Sequence, residues 1–378
     1  MKQKIAFLYL NTGAGHVAPA KALSKGMENS YPGKSESFML NGFSEKMKFS
    51  RFFFEQGYLI SSNYFEPSYV LFYRLTEIPV MIRFGNYFVS LNGIKYLADF
   101  FREHGITKVV CLHEVLIIMA RRAINRVNPS IPLITLVTDP FTAHALWFYE
   151  KKTELVVFSE KLRQEAISKY KFDPSRVHTF PFMLSTSYDH HYSPEEIAEA
   201  RERLKIPRGK KVLLIAGGGE GLKSADRIVS HFIRRKRSEI LVVVCGKNKL
   251  LKRLVTDMVE LTGAKNVMIF GFVTFMQDLL NIADCVITKG GASTVMEVLS
   301  VGKPVIFSTF IRGQELGNVL YVVENGGGWY IRSHKAILDQ ALKVVENPEL
   351  AAEVGRNIAK LGVRNGVDDV VKFINDFT

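Results

Sequence analysis

Cysteine is scarce. The 378 residues hold three, Cys111, Cys245 and Cys285, and none forms a Cys-x-x-Cys pair. That count and spacing exclude a zinc cage and a disulfide framework. Each thiol lies in an apolar run of strand character and reads as buried. Long hydrophobic runs are also missing, and nothing reaches the roughly 18 uncharged apolar residues of a membrane span. The apolar start Ile5–Leu10 ends in Asn11-Thr12-Gly13-Ala14-Gly15, too short a core for a secretory signal. A soluble or peripheral protein is expected. No Asp-x-Asp occurs, so the sequence requires no bound divalent ion or other cofactor.

What remains is an ordinary globular composition, 47% apolar and 23% charged. The length suits two or three domains. The net charge of +13 is shared as +8 before residue 185 and +5 after it. A basic balance points to an anionic partner. Nucleic acid is disfavoured, because the basic residues are scattered and no helix-turn-helix, zinc or RNP pattern appears.

Apolar strand-like runs alternate with helical ones, the pattern of an α/β fold with parallel sheets. In the first half, strands are expected at Lys4–Leu10, 107–112, 132–138, 154–158 and near Val177–Phe180, with a helix from about His16 to Asn29. In the second half, strands are expected at Lys211–Ala216, Ile240–Cys245, 266–270, Asp284–Thr288 and Pro304–Phe307. Helices are expected there at Ser224–Arg235, 248–261 and 294–301. The polar, Pro-containing stretch 183–208 marks the boundary, giving domains 1–185 and 186–361. Residues 38–101 stand apart, with 18 of the 43 aromatic residues in 64 positions and Lys/Arg interleaved. They read either as core helices or as a surface that docks on an anionic membrane.

Three glycine-rich turns follow strands. Asn11-Thr12-Gly13-Ala14-Gly15-His16 lacks the third glycine and the distant acid of a dinucleotide site. His16 in that first helical turn reads two ways, as a plain polar residue of the turn or as a base that the helix dipole keeps neutral. Gly217-Gly218-Gly219 suits close approach of a phosphate or ribose. Lys289-Gly290-Gly291-Ala292-Ser293-Thr294 is a second anion cradle without the P-loop order. Glu297 reads two ways, as the third residue of a capping box begun by Thr294 or as an acceptor for ribose hydroxyls.

Gly13-Ala14-Gly15-His16, Thr288-Lys289-Gly290-Gly291 and Glu297 resemble glycosyltransferase family 28. Ile311 through Val319, Tyr321 through Gly326, Val243 through Lys249 and Val137-Thr138-Asp139 resemble its monogalactosyldiacylglycerol synthases and the related processive diacylglycerol glucosyltransferases. The resemblance covers most of 1–30 and 105–330. It departs where Gly291-Ala292-Ser293 replaces the usual small-residue loop and where Arg312 stands for a common proline.

The resemblance implies a GT-B fold of two Rossmann-like domains facing across a cleft, with 362–378 returning to the first. It implies that Gly217, Gly218, Gly219, Gly246, Lys247, Phe272 and Val273 line a nucleotide and that Glu297 holds its ribose. Gly290, Gly291, Ser293 and Thr294 would take the diphosphate, Gln314 and Glu315 the sugar hydroxyls, and Asn318 would belong to the donor site. The first domain would take a lipid acceptor near Gly13, Gly15 and His144, with His16 or Asp139 as base; His113 reads as structural.

The implied activity is inverting transfer of a hexose from UDP-galactose or UDP-glucose to diacylglycerol, on the cytoplasmic face of a membrane. UDP-N-acetylglucosamine enzymes of the same fold, a peptidoglycan-precursor transferase or a non-hydrolysing epimerase, are the alternatives. A catalytically silent binding protein is disfavoured by the presence of His16, Glu297 and Gln314 together.

Overall fold

A computed structural model describes residues 2–12, 14–57 and 66–377, without the side chains of Ala14, Glu66, Ser68, Pro79, Arg83, Phe84 and residues 86–92. The chain forms two compact units. The first comprises Met1–Met183, Arg312–Gln314 and Asn365–Thr378, the second Leu184–Ile311 and Glu315–Arg364.

The first unit is built on β1 (Gln3–Tyr9), β2 (Ser35–Asn41), β3 (Lys108–Cys111), β4 (Leu133–Leu136), β5 (Glu154–Val157) and β6 (Val177–Thr179). They form one parallel sheet in the order β2-β1-β3-β4-β5-β6. Strands such as Lys-Val-Val-Cys and Leu-Ile-Thr-Leu are buried throughout. Helices cover both faces of such a sheet, so its strands read as continuous apolar runs. The helix Val367–Asp376 belongs to this unit: the Gln3 side-chain amide donates to the Asn375 carbonyl at 2.9 Å, and Lys108 Nζ donates to the Ile374 and Phe377 carbonyls. Burial pushes Lys108 down to about 8.

The second unit holds β7 (Val212–Ala216), β8 (Ile240–Val244), β9 (Val267–Phe270), β10 (Cys285–Lys289), β11 (Val305–Thr309) and β12 (Gly328–Tyr330). Their order is β12-β11-β10-β7-β8-β9, all parallel, the doubly wound nucleotide-binding order. The apolar face of helix Ala225–Arg234 packs Ile228, Val229 and Phe232 onto this sheet.

Each sheet reverses its strand order at one place, between β1 and β3 and between β7 and β10. Ligands of open α/β sheets bind beyond the carboxyl ends of the strands at such points, because the two flanking loops diverge there. Two of the glycine turns, those after β1 and β7, and the Lys289-Gly290-Gly291 turn after β10 lie at these reversals. All three cysteines are buried. No helix of the described residues is long and apolar enough to cross a membrane.

Candidate functional site

In the first unit, helix Ala14–Ser30 begins two residues before the expected start, which places His16 in its first turn. The adjacent loop after β3 supplies Leu112, His113 and Glu114. His16 Nδ1 lies 2.7 Å from the Leu112 carbonyl and 3.1 Å from Thr138 Oγ1. A carbonyl only accepts, so this nitrogen carries the ring proton and Nε2 keeps its lone pair. The ring centroids of His113 and Trp147 lie 4.5 and 6.3 Å away.

His16 is held down at about 4, first by burial and then by the neighbouring His113; Glu114 and the Leu112 bond oppose this. The cause therefore differs from the helix dipole expected, while the consequence, a neutral imidazole at pH 7, is the same. Burial alone takes His113 down to about 3, and its Nδ1 accepts the Val115 N–H at 3.4 Å to cap a short turn. Among the described residues His16, His113 and Glu114 are the group with metal-ligand spacing.

His144 behaves differently. Its Nδ1 accepts the Leu146 N–H at 3.1 Å, and its Nε2 lies 3.2 Å from both the Tyr73 carbonyl and Thr76 Oγ1. Both nitrogens are committed, so this buried ring fixes the loop. Asp139 is partly buried, and its Oδ1 accepts from Gln314 Nε2 at 3.4 Å, while Gln314 Oε1 accepts from Tyr69 Oη at 3.0 Å. The proton-bearing nitrogen of His16 is oriented by Leu112 and Thr138. A Cβ on Gly15 would meet nothing within 4 Å, and Gly13 lies outside the described residues.

In the second unit the glycine run divides by task. A Cβ on Gly217 would meet the Gly221 and Leu222 backbone at 2.4 Å, and one on Gly246 would meet the Gly219 carbonyl at 2.2 Å. Lys247 N–H donates to that carbonyl at 2.7 Å. Gly217 and Gly246 thus let two loops pack backbone to backbone. Gly219 has nothing within 4 Å of its Cβ position, and Gly218, at φ +73°, has only Thr294 Oγ1 at 3.9 Å. These two leave room for a ligand. Phe272 is exposed, with Lys247 Nζ 5.7 Å from its ring centre and partly buried Val273 beside it. An exposed ring of this kind suits stacking on a planar base.

Helix Ala292–Ser300 begins two residues earlier than expected. Gly291 is its N-cap, and no side chain caps it. Its first-turn N–H groups, with Ser293 and Thr294 in the same turn, are a candidate anion site. The early start moves Glu297 beyond the capping-box position. Its carboxylate accepts instead from the Tyr188 hydroxyl, and burial raises it to about 7 against that bond.

Lys289 Nζ pairs with Glu315 Oε1 at 2.8 Å, and Glu315 Oε2 accepts the Ile311 N–H at 2.8 Å. Asn318, fully buried, donates to the Gly290 carbonyl at 2.8 Å. Gly290 is confined by Phe310, Val319 and Glu315. Glu315 and Asn318 therefore shape the Lys289-Gly290-Gly291 loop. Sequence reading missed Tyr188 and Thr138, since neither lies in a glycine turn; Thr138 is flagged only by its place in Val137-Thr138-Asp139.

The segment 38–101 is both core and surface. Phe43, Ile94, Leu97, Ala98 and Phe101 are buried, whereas Phe49 is 81% exposed and Phe52, Phe53, Leu71, Phe72, Leu75, Ile78, Val80 and Met81 are also exposed. Phe53 stacks on Phe49 at 6.4 Å and meets Phe72 edge-on at 5.9 Å, so the outward rings form one face. Exposed Lys46, Lys48 and Arg74 lie in the same segment.

Residues 212–370 match the model of the glycosyltransferase family 28 C-terminal domain, and residues 16–181 that of monogalactosyldiacylglycerol (MGDG) synthase. Monogalactosyldiacylglycerol synthase 3 of Arabidopsis thaliana is 31% identical over 263 residues, covering 66% of this chain and 54% of that protein. The chain spans about half the length of the plant synthases it matches first, 53% in one from rice. A processive diacylglycerol beta-glucosyltransferase of Bacillus licheniformis is 25% identical over 371 residues, with 98% and 94% covered. The crystal structure of MurG from Acinetobacter baumannii superposes with a TM-score of 0.66 at 15% identity, over 99% of this chain and all of that one. The fold is GT-B, with two Rossmann-like α/β units.

Proposed function

We propose that this chain, which belongs to glycosyltransferase family 28 through its second unit and to the MGDG synthase family through its first, transfers a hexose from a UDP-sugar to diacylglycerol. The donor is UDP-galactose or UDP-glucose, and the product is the β-glycolipid. The activities named for the plant and Bacillus relatives support the acceptor. His16 carries the reading: a neutral imidazole at a topological switch point, with its proton fixed on Nδ1 by Leu112 and its Nε2 available.

The acceptor hydroxyl gives its proton to His16 Nε2 as its oxygen bonds to the anomeric carbon. The bond from that carbon to the diphosphate oxygen breaks, and its electron pair leaves with UDP. Attack from the face opposite the leaving group inverts the centre. The leaving diphosphate is stabilised by the uncapped start of helix Ala292–Ser300 with Ser293 and Thr294. Those donors supply what a divalent ion supplies elsewhere, so a chelator leaves the rate unchanged. Gly218 and Gly219 admit the nucleotide, Glu297 accepts from its ribose, and Phe272 with Lys247 flanks the base. Gln314 is the candidate for the sugar hydroxyls.

The exposed apolar side chains of 49–53 and 71–81, with Lys46, Lys48 and Arg74, seat the protein peripherally on an anionic membrane where diacylglycerol resides. The test is transfer to diacylglycerol in anionic liposomes, with UDP-glucose, UDP-galactose and UDP-N-acetylglucosamine supplied separately and products read by mass. Hexosyl-diacylglycerol from one donor is expected. UDP binding with no lipid product from any donor overturns the acceptor, and an N-acetylhexosamine product overturns the donor.

A further inference from the structure

The aromatic face and Asn11, which precedes the helix carrying His16, are joined by a buried carboxylate. Glu55 is 8% exposed, although Phe49, Phe52 and Phe53 beside it in sequence face outward. Its Oε1 accepts from the Asn11 backbone N–H at 2.9 Å and from Asn41 Nδ2 at 2.7 Å, and Arg51 Nε faces Oε2 at 3.5 Å. Asn11 opens the turn that leads from β1 to His16. Asn41 ends β2, and its Oδ1 accepts the Phe43 N–H at 2.9 Å.

The segment Phe52–Gly57 is a π-helical turn. Such wide turns re-aim side chains and are frequent at functional sites. Here Phe53 joins the outward face, Phe54 stacks on the buried Phe43 at 5.7 Å, and Glu55 reaches the loop. Movement of the aromatic turn therefore moves the acceptor of Asn11.

We propose that Glu55 is a positioning residue: it couples seating of the Phe49–Phe53 turn on a lipid surface to the placement of Asn11, and hence of His16 in the helix that follows. This rests on the acceptor and docking roles proposed above. A carboxylate suits the task because it accepts from two donors and faces a guanidinium at once. Removing it leaves the Asn11 N–H and the Asn41 amide unpaired and releases the loop. A rigid scaffold holding the base matters because a displacement of about 1 Å costs on the order of 100-fold in rate.

The test is hydrogen exchange of the full chain with and without vesicles of phosphatidylcholine, phosphatidylglycerol and diacylglycerol. In the unsubstituted protein, vesicles are expected to slow exchange in both 49–57 and 10–17. In Glu55→Ala the slowing at 49–57 is expected to persist while that at 10–17 disappears. Its kcat on vesicle-borne diacylglycerol falls on the order of 10- to 100-fold with the KM for UDP-sugar unchanged within a factor of about 2. Glu55→Gln, which keeps one oxygen for Asn11 and Asn41, is expected to restore most of both.

Equal slowing of both segments in Glu55→Ala overturns the coupling and leaves the docking reading intact. No slowing of 49–57 in the unsubstituted protein overturns docking and the coupling together. If Glu55→Ala does not fold, Asn41→Ala replaces it and is expected to weaken the 10–17 response; an unaltered response there overturns the proposal.

Discussion

His16 Nδ1 lies 2.7 Å from the carbonyl oxygen of Leu112, and this contact fixes the ring proton on that nitrogen. The proton is held on the side of β3 and Thr138, and Nε2 is left to accept. His16→Ala is expected to lower transfer by at least about 100-fold, the scale of a lost general base. UDP affinity, measured by calorimetry, is expected to stay within a factor of about 2. Substantial residual transfer removes His16 from the role.

The two units titrate in different ranges. His16 sits at about 4, so it is neutral across the neutral range, while Glu297 sits at about 7. The ionised Glu297 is the better acceptor for ribose hydroxyls. UDP affinity is therefore expected to rise as pH rises through 7 and to weaken below it. Calorimetric titration at pH 6 and 8 checks this, and Glu297→Gln is expected to bind UDP more weakly with the pH dependence gone. Lost affinity without lost pH dependence assigns the titration to another group.

The buried histidines also set an acid limit on the fold. Both are depressed below the ordinary value of 6.5, to about 4 and about 3. The unfolded chain then binds more protons than the folded one in that interval, and stability falls as pH falls from 6.5 through those values. Above 6.5 these two groups contribute no pH dependence. Urea unfolding of the first unit at pH 7 and 5 is expected to show the loss, and His113→Asn to reduce it.

The glycine run separates packing from ligand access. Gly217→Ala drives a methyl into the Gly221 backbone, whereas Gly219→Ala has open space. Gly217→Ala is expected to destabilise the second unit by about 1–3 kcal/mol or more, read as a lower melting temperature. Gly219→Ala is expected to melt like the unsubstituted protein yet bind UDP more weakly. The reverse pattern contradicts the division.

The outward rings are expected to govern membrane contact. Phe49→Ser, Phe53→Ser and Phe72→Ser together remove three exposed rings without opening the core. Cosedimentation with anionic vesicles is expected to drop severalfold at unchanged UDP affinity. Undiminished binding returns these rings to ordinary surface.

The fold was legible because a parallel sheet buries both faces. Val212–Ala216 and Ile240–Val244 are unbroken apolar runs, and helices with one apolar stripe lie between such strands. The glycine turns were legible as places of close approach, but not what approaches: Gly217 and Gly246 meet backbone, and Gly219 meets open space. Glu297 was ambiguous because a capping box and a ligand acceptor share one pattern; only the helix start at Ala292 decides against the cap. The bonds of His16 to Leu112 and of Glu297 to Tyr188 join residues about 100 apart, which no local pattern encodes. Glu55 was hidden for the same reason, a single acid within an aromatic stretch.

The measurement closest to the central claim is the anomeric configuration of the lipid made from an α-linked UDP-hexose, read by proton NMR. Attack by a hydroxyl deprotonated at His16 Nε2 predicts a β-glycoside, with the large coupling of two axial protons at C1 and C2. An α-glycoside would contradict single displacement and with it the assignment of His16 as the base.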